Sequence, residues 1–344
     1  MIGKFWSKFK NVFTKSVTEN NNTVIKRKRK IDFKYILTFM LVYSCQIGYT
    51  AKKVIHIMTN HGFPTIKEPS LLSARLKYPH YMFYSIFIKL VDIVDSLIYP
   101  KNKRRFFAID GCKVRVPSTT FRNSDTKYVN YGGYYDVGML SCMYDVVYHI
   151  PYDFSFSNDT SERTHALQHF KRCRTGDVLI FDRGYISREM MCTLTQKQLD
   201  FIFRIPNNDN QFKFIFKEIE NADKIINYQV PNGKLLKLRI IKYNNYYLAT
   251  SLLNTNKFPL QFVADKYNQR WNIEEHFKLQ KSDLTTLQSF HGLTEHSIIQ
   301  EIYTQFIAII VARVIMLQTL DKLNVDIKVK YPYNSINEVV KRNT

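Results

Sequence analysis

Residues 261–283 read QFVADKYNQRWNIEEHFKLQKSD. The stretch contains no Pro or Gly and is rich in good helix formers, so it predicts one long helix. On a helical wheel a phenol, a carboxylate and three cations share an arc of about 80°. This cationic stripe consists of Tyr267, Arg270, Glu274, Lys278 and Lys281. A solvated charged face is the alternative interpretation, but such a face usually mixes the two signs of charge. One acid within a row of cations instead suits a carboxylate that binds a metal ion beside side chains that bind phosphates.

The composition indicates a polyanionic partner. The chain of 344 residues carries a formal net charge of +21 and has a pI near 9.6, which is more than solubility requires. A membrane surface is the competing polyanion, but the apolar residues 298–320 are interrupted by Gln300, Glu301, Gln305 and Arg313 and predict a buried helix. We therefore expect double-stranded DNA as the partner and no membrane association. The five scattered cysteines fit a reducing compartment. The expected location is cytoplasmic and nucleoid-associated, or nuclear in a eukaryotic host.

The N-terminal part of the chain is basic and predicted to be helical. Residues 1–30 predict a flexible basic segment that contains the run Lys26–Lys30. Residues 1–99 hold 16 Lys and Arg against 5 Asp and Glu, a net charge of +11. We therefore expect residues 31–99 to form a helical DNA-end-binding domain, in which Ser70–Lys77 is the candidate helix for a DNA groove. A helical bundle that only packs is the alternative.

After residue 100 the sequence predicts alternating strands and helices instead of helices alone. Residues 100–205 predict the first part of an α/β catalytic core, with these elements in order: strands at Phe106–Asp110, Tyr135–Val146 and Val147–Phe156, a helix from Ser161 to Arg172, a strand at Asp177–Asp182, a helix from Ser187 to Gln198, and a strand at Asp200–Ile205. Residues 206–255 predict a β-rich insertion that includes the strand Phe212–Phe216. Residues 256–320 predict the helices that complete the core, and residues 321–344 predict a polar tail.

Two acids end predicted core strands. Asp110 and Asp182 each follow an apolar run, and sites in open α/β sheets lie at the carboxyl ends of the strands. Glu274 joins them from the cationic stripe. Three carboxylates can hold two Mg²⁺ or Mn²⁺ ions, roughly 3.5–4 Å apart, which clamp the attacking and leaving oxygens of a displacement at phosphorus.

Three short motifs carry a family resemblance. Ile109-Asp110-Gly111, the run Asp182-Arg183-Gly184-Tyr185, and Tyr267-x2-Arg270-x3-Glu274-x6-Lys281 resemble the motifs of IS4-type DDE transposases, over about residues 100–315. The resemblance implies an RNase H-like mixed sheet flanked by helices, with a β-rich insertion before the Glu. It implies Asp110, Asp182 and Glu274 as catalytic metal ligands, and DNA contacts from Tyr267, Arg270 and Lys281. We place Lys278, Arg183 and Tyr185 at the DNA as well. Cys112 stands where the family often has Ser or Thr.

The resemblance also implies cut-and-paste transposition. A homodimer would bind the terminal inverted repeats, cut the ends through hairpins and join them to target DNA. A hairpin mechanism can need an aromatic side chain to hold a flipped base; Tyr243, Tyr246 and Tyr247 are the candidates, with sheet packing as the alternative. Two other functions stay open: a metal-dependent nuclease with the same core, and an inactive transposase-derived DNA-binding protein.

A second cluster of potential metal ligands lies elsewhere in the chain. His165, His169 and Cys173 are spaced i, i+4 and i+8 on a predicted helix and are residue types that bind zinc. The sequence offers no evident fourth ligand. Ordinary helix packing is therefore the favoured interpretation of this cluster.

Overall fold

A computed structural model describes most of the chain. The described residues are 31–44, 48–99, 103–121, 135–206, 223–229, 235–282, 287 and 290–322, together with 7, 8, 10, 11, 14 and 15. The Lys26–Lys30 run, the predicted strand Phe212–Phe216 and nearly all of the predicted tail lie outside them.

One mixed sheet organises the fold. Its first five strands are β1 (Phe106–Pro117), β2 (Tyr135–Asp145), β3 (Ile150–Ser157), β4 (Val178–Phe181) and β5 (Asp200–Ile205). The first three strands form an antiparallel meander, and β4 and β5 continue from β1 in parallel. The parallel strands are buried on both faces, as their continuous apolar sequence predicts. The α/β class is confirmed.

Three further strands extend the same sheet. They are β6 (Asp223–Gln229), β7 (Leu235–Tyr243) and β8 (Tyr246–Thr250). Strand β8 pairs antiparallel with β5, so the sheet has the order β3-β2-β1-β4-β5-β8-β7-β6. The β-rich segment expected between the last core strand and the motif helix is therefore continuous with the core.

Helices cover both faces of the sheet. They are α1 (Phe33–Tyr43), α2 (Ala51–Asn60), α3 (Glu68–Arg75), α4 (His80–Ile98), α5 (Glu162–His169), α6 (Arg188–Gln196), α7 (Leu260–Asn268), α8 (Trp271–Ser282) and α9 (Glu295–Lys322). On one face, His169 of α5 lies against Ser141 of β2. On the other, Tyr303 of α9 packs on Phe154 of β3. Residues 141 and 154 face opposite ways because side chains alternate along paired strands.

The apolar helix α9 belongs to the protein core. Residues Glu295–Leu317 are long and apolar enough to cross a membrane by length and composition alone, but 67% of the most apolar window is buried inside the protein. Helix α9 packs against α1, α4 and β3. The expectation of a buried helix at this position is confirmed.

Helix α3 joins the N-terminal helices to α9 through a buried polar network. The Arg75 guanidinium, 4% exposed, donates to Glu301 Oε1 at 2.8 Å, to Gln300 Oε1 at 3.0 Å and to the Ser297 carbonyl at 2.6 Å. We expected Ser70–Lys77 to be a candidate helix for a DNA groove. Arg75 of this segment cannot contact a groove, because its side chain faces the protein interior.

The cationic stripe does not lie on one long helix. Three i→i−3 hydrogen bonds mark the junction between α7 and α8, in which the amides of Arg270, Asn272 and Ile273 donate to the carbonyls of Tyr267, Gln269 and Arg270. Such turns advance each residue by about 20° more than an α-helix does. Over these residues the rotation brings Ile273 toward the face of Tyr267, and both are buried. The prediction of a single helix was wrong, since the chain forms turns here although it contains no Pro or Gly.

A buried arginine fixes the start of the two strands that carry the acids. Arg105, 1% exposed, precedes β1 and binds Asp177, just before β4, through both carboxylate oxygens at 2.9 and 2.5 Å. The same guanidinium donates to Asp95 of α4 at 3.0 Å. Bidentate pairs of this kind constrain orientation as well as distance. Strands β1 and β4 therefore begin in a fixed register.

Candidate active site

The strand register places Asp110 and Asp182 level with each other. Ala108 of β1 pairs with Ile180 of β4, and each acid lies two residues further on. The pairing of these strands ends at Ala108, although β1 itself runs on to Pro117 beside β2. Asp110 thus lies within a strand rather than at its end, which corrects the expectation from sequence. Both acids therefore lie at the level where β1 and β4 stop pairing.

Helices α7 and α8 bring the cationic stripe to the same edge. The Tyr267 hydroxyl donates to Asp182 Oδ1 at 3.3 Å. Arg270 Nη2 lies 2.6 Å from Glu274 Oε1, and Nη1 lies 3.8 Å from Asp110 Oδ2. The Arg270 guanidinium also lies 5.8 Å from the Tyr267 ring centre. Tyr267 therefore contacts Asp182, and Arg270 links Glu274 to Asp110.

The electrostatics of the site centre on Asp110. The pKa of this carboxyl is raised to about 7. Burial is the largest cause, Arg270 and the Gly111 amide act against it, and the negative charges of Glu162 and Glu274 add smaller upward contributions. An acid with this pKa is only partly ionised at neutral pH. A second cation beside Arg270 would favour the ionised form.

The residues present fit a divalent ion. Carboxylate oxygens are the hard ligands that Mg²⁺ and Mn²⁺ prefer. In this conformation no three acidic, His or Cys side chains of the described residues converge closely enough to hold an ion. Arg270 lies between two of the acids and neutralises them instead.

A match to a family model identifies the domain. The model named Transposase DDE domain matches residues 101–311, which carry all three acids and both helices of the stripe. The chain belongs to this transposase family. The matched range also agrees with the 100–315 span of the sequence resemblance.

A solved transposase structure has a similar fold. A piggyBac transposase synaptic complex with hairpin DNA matches at 11% sequence identity and a TM-score of 0.51, covering 94% of this chain and 77% of that one. A Drosophila P element transposase strand transfer complex matches at 12% identity and a TM-score of 0.27, covering 97% of this chain and 69% of that one. The first likeness supports the RNase H-like form of the sheet expected from sequence. No curated protein matches the chain.

Lys278 and Lys281, the two remaining cations of the cationic stripe, lie in different surroundings. Lys281 lies beside the buried Cys112 thiol, whose pKa burial raises and Lys281 lowers. Lys278 is 60% exposed and binds Glu275 at 2.8 Å, with its ammonium 4.8 Å from the Trp271 ring centre. The tighter turns before α8 rotate Lys278 away from Arg270, so the structure does not bring it to the acids.

Arg183 and Tyr185, the two other predicted DNA contacts, lie in the turn after β4 and differ in their exposure. Arg183 is exposed, in a position to meet a phosphate. Tyr185 is 1% exposed, so its assignment to DNA is corrected: its side chain is covered by the protein. Asp110, Glu162 and Asp182 all act, after burial, to raise the pKa of the Tyr185 hydroxyl.

Two residues of α5 at the site escaped the sequence interpretation. Glu162 and Arg163 follow the helix cap Ser161 and carry no motif. Arg163 donates to the Gly184 carbonyl at 3.0 Å and to the Ile186 carbonyl at 3.3 Å, which fixes the turn after Asp182. The one available signal was their place in the first turn of a helix that begins beside the sheet edge.

The tip of the β7–β8 hairpin reaches the site. The Tyr246 ring packs 5.5 Å from the Tyr267 ring, and its hydroxyl donates to Asn268 Oδ1 at 2.8 Å. Tyr243 lies 5.8 Å from Tyr246 on the same tip. Packing therefore accounts for Tyr246, in agreement with the sheet-packing alternative, and the role of a flipped base stays a prediction.

The potential zinc ligands have other partners. His165 bonds to Ser155 at 2.6 Å and to the Asp159 carbonyl at 2.9 Å. His169 bonds to Asp153 at 2.8 Å and to Ser141 at 3.1 Å. Both rings are committed to hydrogen bonds that hold α5 on the sheet, as ordinary helix packing requires.

Proposed function

We propose that this chain is an IS4-type transposase that cuts DNA at the ends of a mobile element and joins them to a target. The observation that supports it most is the level placement of Asp110 in β1 and Asp182 directly after β4, with Glu274 of α8 linked to Asp110 through Arg270. These acids are the catalytic residues and would hold two Mg²⁺ or Mn²⁺ ions. Bound ions would neutralise charge at the attacking and leaving oxygens of a displacement at phosphorus.

The other side chains position the acids and the DNA. Tyr267 holds Asp182 through its hydroxyl, which fixes the orientation of that carboxylate. Arg270 has a fork of donors that can pass from Glu274 to a phosphate. Lys281 and the exposed Arg183 extend the positive surface beside the acids. Binding of DNA is thereby coupled to the release of Glu274 and Asp110 by Arg270.

The partner is double-stranded DNA: the terminal inverted repeats of the element and then the target. The net charge of +21 supports this partner. We propose that the protein acts as a homodimer on DNA, proceeds through hairpin ends, and resides in the cytoplasm at the nucleoid, or in the nucleus of a eukaryotic host. Residues 31–99 would contribute to end binding through their exposed cations rather than through Arg75.

A strand-transfer assay tests the function. A pre-cut DNA end with a free 3′-hydroxyl is incubated with the protein, Mg²⁺ and a supercoiled plasmid, and joined products are measured. A transposase joins the end to the plasmid. Nicking of the plasmid without joining would favour a nuclease, and binding without either reaction would favour an inactive DNA-binding descendant. Asp182→Asn is the control, since it removes one acid and should abolish both reactions.

A further inference from the structure

Arg204 of β5 lies level with Asp182 on the neighbouring strand. Phe181 of β4 pairs with Phe203 of β5 in a parallel register, and Asp182 and Arg204 each follow this pair by one residue. The carboxyl ends of parallel strands form the edge at which open α/β sheets bind their ligands. The register therefore places a guanidinium at the same edge of the sheet as Asp182, although Arg204 belongs to none of the three sequence motifs.

Two tyrosine rings connect Arg204 with Asp182. The Arg204 guanidinium lies 5.4 Å from the centre of the Tyr246 ring, and this ring lies 5.5 Å from the Tyr267 ring. The Tyr267 hydroxyl donates to Asp182 Oδ1 at 3.3 Å. The pKa of Tyr267 is raised to about 12, chiefly by burial, and the positive charge of Arg204 is one of the influences that lower it. Arg204 therefore lies close enough to the phenol to act on it through its charge.

Two guanidinium groups lie near Tyr267, and they differ in their partners. Arg270 lies 5.8 Å from the Tyr267 ring centre and is paired with Glu274 and Asp110. For the Arg204 guanidinium the described part of the chain provides a cation–π contact but no carboxylate partner. Its side chain is partly buried. A cation that is partly buried without a counter-ion favours the binding of an anion.

The chemistry of Arg204 selects a phosphate as that anion. The donors of a guanidinium form a rigid fork that matches two oxygens of a phosphate group. Stacking on the Tyr246 ring holds the group in place without an anionic partner from the protein. The net charge of +21 favours a polyanion over a small free anion. A phosphate of a DNA backbone therefore fits this position.

We propose that Arg204 binds a DNA backbone phosphate beside the phosphate on which the acids act, and that Tyr246 holds its guanidinium in place for this contact. The inference rests on the proposed function, because it takes the acids as the reacting centre. In the DNA-free protein Arg204 is available for this contact while Arg270 is still paired with acids. A different role for Arg204 is to pack the β7–β8 hairpin against β5 through the cation–π contact alone.

The salt dependence of DNA binding distinguishes the two roles. The probe is a fluorescently labelled form of the pre-cut DNA end, and its affinity for the full chain is measured by anisotropy at several salt concentrations without divalent ions. We expect Arg204→Ala to weaken binding about 10-fold. The slope of log affinity against log salt should fall by about one, because one phosphate contact is lost. Arg204→Lys keeps the charge but loses the fork, so it should retain the wild-type slope with an intermediate affinity. It also serves if Arg204→Ala does not fold.

Arg188→Ala is the matched control. Arg188 is also partly buried, and its guanidinium lies 5.5 Å from the Tyr228 ring centre. Tyr228 belongs to β6, the strand at the far edge of the sheet. This variant should retain the wild-type salt slope. Thermal melting of Arg188→Ala and Arg204→Ala reports the packing contribution of each guanidinium. Equal losses of melting temperature with wild-type slopes in both variants would overturn the phosphate contact and leave packing as the role of Arg204.

Strand transfer by the wild type separates this inference from the proposed function. Joining by the wild type, together with an unchanged salt slope in Arg204→Ala, would overturn the role of Arg204 alone. Absence of joining by the wild type would overturn the proposed function, whereas a reduced slope in Arg204→Ala would still support the phosphate contact. Joining by the wild type with a reduced slope in Arg204→Ala supports both.

Discussion

Arg270 donates a 2.6 Å hydrogen bond to Glu274, the acid that the family motif assigns to metal binding. The same guanidinium lies 3.8 Å from Asp110. In the DNA-free protein a side chain thus supplies the positive charge that a divalent ion would supply in the working site. The arrangement predicts competition between Arg270 and the ion, which a DNA phosphate would resolve by attracting the guanidinium.

Removal of the Arg270 side chain should have opposite effects on the binding of Mn²⁺ and on the binding of DNA. We expect Arg270→Ala to bind Mn²⁺ about tenfold more tightly without DNA, which is the equivalent of one lost charge-assisted hydrogen bond. Binding to a transposon end should weaken in the same variant, because the fork of phosphate donors is gone. Calorimetry and a gel shift measure the two affinities. Arg183→Ala is the control, since Arg183 is exposed and should affect DNA binding alone. Unchanged or weaker Mn²⁺ binding in Arg270→Ala would contradict the competition.

Glu274→Gln should separate chemistry from binding. The substitution keeps size and helix propensity but removes the charge that a divalent ion requires. We expect cleavage and strand transfer to fall by about 100-fold or more, while binding to the transposon end stays near wild type. A gel shift and a cleavage assay on the same preparation provide the test. Cleavage at a normal rate would mean that the stripe is a solvated face.

The ion affinity of the site should depend on pH. Because the pKa of Asp110 in the fold is about 7, above its ordinary value of 3.8, the protonated form is favoured by folding. The stability that this group contributes is fully present below pH 3.8 and is lost as the pH rises through 7. We therefore expect Mn²⁺ to bind more tightly at pH 8 than at pH 6, and to raise the melting temperature more at pH 8. Asp110→Asn should bind weakly at both pH values. An affinity in the wild type that does not change between pH 6 and pH 8 would contradict the raised pKa.

Substitutions at Arg75 and Lys77 should distinguish a packing role of α3 from a role in DNA binding. Arg75→Ala leaves Glu301 buried, with 0% exposure of its side chain, and without this ion pair, so we expect a loss of about 3–5 kcal/mol in the free energy of unfolding. Lys77→Ala, at an exposed position, should change that free energy by less than about 0.5 kcal/mol. Urea denaturation measures both. If α3 faces DNA, Lys77→Ala should also flatten the salt dependence of DNA binding. An Arg75→Ala protein of normal stability would show that the buried network does not join the helices.

Local patterns in the sequence were enough to predict most elements. The strand Asp200–Ile205 has the predicted bounds, and the helices after Ser161 and Ser187 begin at the predicted caps. Apolar periodicity and cap residues act over a few positions, so they can be read without knowledge of the rest of the chain. The residues Asp110, Asp182 and Glu274 are likewise predicted as site residues from residue type and spacing, and that role remains a prediction.

Relations between distant segments were decided by the tertiary structure. The level of Asp110 with Asp182 follows from how β1 and β4 pair, and the interior position of Arg75 from a partner more than two hundred residues away. The tight turns at Arg270 accompany the burial of both Tyr267 and Ile273. Glu162 packs against the backbone of Gly111, where a Cβ would lie 3.0 Å from its Cγ. The sequence by itself determined which side chains could do the chemistry, since residue type and local pattern are sufficient for that. Which of them share one site was decided by strand register and core packing, because these depend on contacts that no local pattern encodes.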